Sequence, residues 1–81
     1  MDNTQKINKG INARRILEDP LVKEAFAELE SMYITDWKNS TFDDEVKRSR
    51  AYMSMLVLED LKSALQSFVD TGKIAGKQLE R

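Results

Sequence analysis

Histidine and cysteine are both missing from this 81-residue sequence. Without histidine the chain lacks the commonest general base and the commonest metal ligand. Without cysteine it has no disulfide framework and no thiolate, and nucleophilic triads of the Ser-His and Cys-His types are excluded together. Glycine is scarce: Gly10, Gly72 and Gly76 build neither a GxGxxG nor a GxxxxGK(S/T) phosphate loop. No apolar run approaches membrane-spanning length, and the N-terminus lacks the apolar core of a signal peptide. No 12-residue loop with alternating oxygen ligands is present for calcium. Carboxylates do occur in pairs, but Glu24 and Glu28 read as a solvated helix face, and Asp43, Asp44 and Glu45 read as the start of a helix. The expectation is a protein that is not an enzyme and takes no cofactor or metal.

What is present is helical periodicity. Hydrophobic residues make up 41% and charged residues 33%, which places the chain among globular rather than disordered sequences. A single small domain buries a limited core and gains from oligomerisation or docking. The organising stretch runs from Thr41 to Gly72. On a wheel of 100° per residue, Val46, Met53, Val57, Leu61, Ala64 and Phe68 form one narrow apolar stripe, with Leu56 beside it. Ala51, Leu58, Leu65 and Val69 form a second stripe. Together they are about twice as wide as the roughly 100° arc one neighbour needs, so this helix is expected to touch two neighbours, one of them another molecule. Ser40 or Thr41 is the expected cap, and Gly72 the expected left-handed terminator.

Asp19-Pro20 is the clearest break in the chain, because aspartate caps helices and proline suits their first turn. A helix is predicted from Pro20 to Trp37, with Val22, Ala25, Phe26, Leu29, Met32, Tyr33 and Trp37 as its apolar side. The short turn 38–41 makes it antiparallel to a longer helix over 42–71. The predicted fold is all-α: one domain, an antiparallel helical hairpin with a short N-terminal helical segment, three helices in all. Residues 1–12 are expected to be a flexible arm, and 73–81 a short tail. The aromatics Phe26, Tyr33, Trp37, Phe42 and Phe68 are assigned to the core, with Trp37 and Phe42 closing the hairpin tip. Tyr52 and Met55 project from the polar side of the long helix. The expected protein interface comprises Tyr52, Met53, Met55, Leu58, Leu65, Phe68 and Val69, since aromatic residues and Met are enriched at interfaces.

Charge is blocked along the chain. Residues 1–17 carry Lys6, Lys9, Arg14 and Arg15 against Asp2, while 18–45 is acidic apart from Lys23 and Lys38. This is either helix-dipole pairing on solvated faces or a charge-complementary surface for copies of the chain or a partner. Arg14, Arg15, Lys47, Arg48 and Arg50 are the candidate nucleic-acid contacts. A net charge of −1 argues against a dedicated nucleic-acid binder.

The pattern Ala13-x-x-Ile16-Leu17-x-Asp19-Pro20-x-x-x-x-Ala25-Phe26-x-x-Leu29-x-x-x-Tyr33-x-x-x-Trp37, then an acidic cap, a long helix and Thr71-Gly72-Lys73, resembles small all-helical proteins of tailed bacteriophages, many without an assigned role. The resemblance spans residues 13–81 and carries no functional residue across. It implies a viral origin, a location in the virion or the host cytoplasm, and a role in particle assembly, DNA packaging or host takeover. The leading expectation is a non-enzymatic assembly protein that binds itself as a homo-oligomer, or other phage particle proteins, and no membrane. One alternative is a small regulator, or a DNA-packaging subunit of the small-terminase kind, contacting nucleic acid. Another is an inhibitor of a host protein whose acidic arm mimics nucleic acid.

Overall fold

The computed structural model describes residues 2–80. The chain is all-α: α1 (Asn3–Glu18), α2 (Pro20–Asn39) and α3 (Glu45–Leu79). Each start has a local cause. Asp2 caps α1 through a reciprocal capping box, its Oδ1 accepting from the Gln5 backbone N–H at 2.8 Å while the Gln5 side chain accepts from the Asp2 N–H at 3.1 Å. The arm expected over 1–12 is therefore helical from Asn3 onward. Asp19 ends α1 and begins α2. Its extended backbone (ψ 123°) is the conformation proline imposes on the residue before it, and its Oδ1 accepts from the N–H groups of Leu21 at 2.8 Å and Val22 at 3.1 Å.

α2 runs two residues beyond Trp37. The cap of α3 is Asp44, which accepts from the Lys47 N–H at 3.1 Å, rather than Ser40 or Thr41. Residues 41–44 stay outside the helix because the Asp44 N–H bonds back to the Thr41 carbonyl at 3.0 Å. Gly72 does not terminate α3. No described residue has a positive φ, and the helix continues through the expected tail to Leu79.

α3, 35 residues and about 52 Å long, is the backbone of the molecule. α1 and α2 lie end to end along one side of it, both antiparallel to it. Gly10 meets Gly72, Glu30 pairs with Lys62, and Ser40 bonds to Arg48. The molecule measures 59 × 23 × 14 Å, so it is a ribbon two helices wide and one helix thick. The α1–α3 contact is the closer of the two. A Cβ placed on Gly10 would lie 2.8 Å from the Phe68 carbonyl oxygen and 3.1 Å from the Gly72 Cα. One placed on Gly72 would lie 3.0 Å from the Lys6 carbonyl. The two backbones touch because neither residue has a side chain.

The core is thin. Its buried apolar residues are Ala13, Ala51, Leu58, Val69 and Ala75, and α2 contributes none. Phe42, assigned above to the hairpin tip, is 94% exposed. The tip is closed instead by Arg48. Its guanidinium lies 4.7 Å over the Trp37 ring and donates to Ser40 Oγ at 3.2 Å, while Ser40 Oγ donates to the Trp37 carbonyl at 2.6 Å.

Candidate protein-docking face

A ribbon one helix thick has two broad faces, and these differ in chemistry. The buried residues of α3 are Ala51, Leu58, Val69, Gly72 and Ala75, and along α2 the inward direction is set by Ala51 and Leu58. At 100° per residue, Lys62, Arg48, Gln66, Glu59 and Asp70 then turn to one face. Here Lys62 bridges Glu30 at 3.4 Å and Glu59 at 4.0 Å, and stands 5.8 Å over the Phe26 ring. Gln66 donates to Asp70 at 3.0 Å. This face has its own polar partners.

The opposite face is apolar. Val46, Met53, Val57, Leu61 and Ala64 point there, and Val57 and Met53 are 66% and 62% exposed. Between this row and α2 runs an open groove of about 830 Å³, floored by Leu29, Tyr33 and Leu58 and edged by Glu45, Ser49, Arg50 and Ser54. The phase of α2 is set by Phe26 and Glu30, which meet Lys62 on the polar side. Leu21, Ala25 and Met32 therefore turn toward the apolar face, and all three are exposed. At the far end of the row, Lys9 lies 5.2 Å over the Phe68 ring.

The expected interface residues separate on this frame. Met53 and Phe68 belong to the apolar face. Tyr52 is exposed and Met55 half-buried on the polar side. Leu58 and Val69 are 6% and 5% exposed, and Leu65 is half-buried, so these three are spent on packing within the chain. The stripe left in solvent also holds Val46, Val57 and Leu61, which the expected interface does not include. The missed signal was glycine. Gly10 and Gly72 inside helices are costly unless something packs closely on them. That requirement draws α1 onto the stripe that holds Val69.

The basic candidates are not gathered together. Arg14 and Arg15 are exposed on α1, and Arg14 lies beside Lys73 toward the end of α3. Lys47, Arg48 and Arg50 sit roughly 35 Å away along α3 and point in different directions around it. Arg48 is occupied by Trp37 and Ser40. Among the described residues no group of three or more acidic side chains is placed to hold a metal ion, and no helix is long and apolar enough to cross a membrane. No protein family model, no curated protein and no solved structure matches the chain.

Proposed function

We propose that the chain is a non-enzymatic protein-binding component, working in several copies, that docks through the apolar α2–α3 face. The setting of a bacteriophage particle or its assembly rests on the sequence resemblance alone. One observation carries the docking reading. The accessible surface is 6309 Å², against about 5,000 Å² for a compact monomer of this length. The excess lies in a flat shape whose apolar side chains are unshared, and contiguous exposed patches of this kind mark interaction sites.

The test places a photoreactive residue at position 57, on the apolar row, and another at Glu59, on the polar face, and illuminates the chain in its native setting. The expected result is a discrete cross-linked protein from position 57 and none from position 59. Absence of a product from position 57 refutes the reading.

A further inference from the structure

The net charge averages two unlike halves of the ribbon. Residues 18–65 hold eleven carboxylates against six cations, whereas 3–17 hold no carboxylate against four cations and 66–79 hold only Asp70 against two. Because Gly10 meets Gly72 and the two helices run antiparallel, these basic segments lie side by side, with Lys9 level with Lys73 and Gln5 with Lys77. Lys6, Lys9, Arg14, Arg15, Lys73 and Lys77 therefore fall within a band about 15 Å long at the α1–α3 crossing. All are exposed except the half-buried Lys6, and among the described residues none has a carboxylate within salt-bridge distance. Asp70 is engaged by the Gln66 amide at 3.0 Å. Asp2 and Glu80 flank the band at the tip of the ribbon, and Glu18 flanks it on the inner side.

The band is uneven around the ribbon. Lys73 stands two helical turns from Gln66 and so shares its polar face, where it lines one depression with Arg14. Arg15 and Lys77, each about 140° from the line of contact, project on that same side. Lys6 and Lys9 stand on the opposite face beside Phe68 and Thr71.

We propose that the polar side of the α1–α3 end contacts the phosphate backbone of a nucleic-acid duplex without regard to sequence. Arg14, Arg15, Lys73 and Lys77 make the contacts, and Lys6 and Lys9 add to the attraction. A duplex carries one negative charge per roughly 1.7 Å, so the 15 Å it shares with the band carries about nine. A folded acidic partner would have to crowd its own carboxylates to a similar density against their mutual repulsion. A lipid surface takes a cationic face together with exposed apolar side chains. Here the apolar row of Val57, Leu61 and Phe68 lies on the other face, away from the four cations. The site lies beyond the end of the α2–α3 groove and on the opposite face, so it does not rest on the docking reading.

The test is fluorescence anisotropy of a labelled duplex DNA of mixed sequence, titrated with the full chain at several salt concentrations. Contact with four phosphates gives an expected slope of about −3.6 in log association constant against log salt, a loss of about a hundredfold between roughly 50 and 200 mM. Arg15→Gln with Lys77→Gln should make that slope shallower by about 2, and so should Arg14→Gln with Lys73→Gln. Arg15 and Lys77 are exposed and hold no bond within the described residues, so circular dichroism should show the first pair folded as before. Lys47→Gln with Arg50→Gln, toward the other end of α3, should change affinity less than about twofold, because exposed charges farther apart than a Debye length are screened. No binding at about 50 mM salt with about 100 μM protein overturns the site, since even non-specific duplex binders associate there. Equal loss from the Lys47 and Arg50 pair overturns it as well, because the attraction would then not be local. Capture by vesicles rich in anionic phosphatidylglycerol, with none by the duplex, assigns the band to a lipid surface and overturns the nucleic-acid site.

Discussion

The chain's three glycines sit in one molecule in three different environments, and alanine at each should give three different signs or sizes. All three positions are helical, so each substitution removes a residue that costs about 0.5–1 kcal/mol relative to alanine in a helix. At Gly76 nothing lies within 4 Å of the new methyl, so the gain is uncompensated. Gly76→Ala should stabilise by about 0.5–1 kcal/mol. At Gly72 the methyl would lie 3.0 Å from the Lys6 carbonyl and 3.1 Å from the Gly10 Cα, so the helices must part by a few tenths of an ångström. At Gly10 it would lie 2.8 Å from the Phe68 carbonyl, a contact that backbone atoms alone must relieve. Overpacking of this kind costs about 1–3 kcal/mol. Subtracting the propensity gain leaves Gly72→Ala near neutral to about 1 kcal/mol destabilising, and Gly10→Ala about 1–2 kcal/mol destabilising. For a domain of this size 1 kcal/mol shifts Tm by roughly 4–8 °C. Thermal melts followed by circular dichroism at one fixed protomer concentration resolve that order, the fixed concentration removing any effect of association. If Gly10→Ala melts with or above Gly76→Ala, the α1–α3 backbones are not in contact and the account of the fold is wrong.

Leu58 and Val57 are neighbours with opposite fates. Leu58→Ala should cost about 2–4 kcal/mol of stability in urea unfolding, whereas Val57→Ala should leave the monomer within about 0.5 kcal/mol, because only the first empties packed space. Asp19→Ala removes the acceptor of two N–H groups at the start of α2 and should cost about 1 kcal/mol, with helicity lost from α2 by amide exchange. Arg48→Ala uncovers the single tryptophan at the hairpin tip. Its emission should shift to longer wavelength and stability should fall by about 0.5–1 kcal/mol, and an unchanged spectrum would count against the stacking.

The helical class, the break at Asp19-Pro20 and the antiparallel turn were legible because each has a local cause: a 3.6-residue period, a proline that fixes its predecessor, a connection too short for anything else. The start of α1 was legible too, in the Asp2–Gln5 capping-box spacing, but the polar composition of residues 1–12 hid it. What local rules could not supply was the orientation of α3. A wheel identifies two apolar stripes and is silent on which turns inward, since that depends on contacts some sixty residues apart in sequence. Gly72 illustrates the difficulty. As a local signal it reads as a helix stop, and only the approach of Gly10 makes it a helix interior. The candidate face inherits the same ambiguity: Leu58 and Val69, which the sequence places at the interface, pack within the chain, while Val57 and Leu61, which the expected interface leaves out, stand in solvent.

Stability is unevenly distributed along the ribbon, and this bears on how association would act. α1 is locked on α3 by backbone contact at Gly10 and by the buried Ala13, whereas α2 buries no residue of its own. A 20-residue helix is marginal in water without a packed face. What holds α2 is its cap at Asp19, the Arg48 contacts at its far end, and the half-buried Phe26, Leu29 and Tyr33. A partner lying on Leu29, Met32 and the α3 row would supply the missing cover to α2 and little to the α1–α3 crossing. Binding to the folded form stabilises by mass action, so the protection gained should be local to the elements covered. Amide hydrogen exchange measured across a hundredfold dilution should therefore show α2 exchanging faster as the protein is diluted, with Gly10 to Arg14 of α1 and Val69 to Ala75 of α3 unaltered. Uniform change along the chain would mean that folding and association are a single event. Unchanged α2 protection at every concentration would mean that no second copy docks on the face and that the thin α2–α3 contact suffices alone.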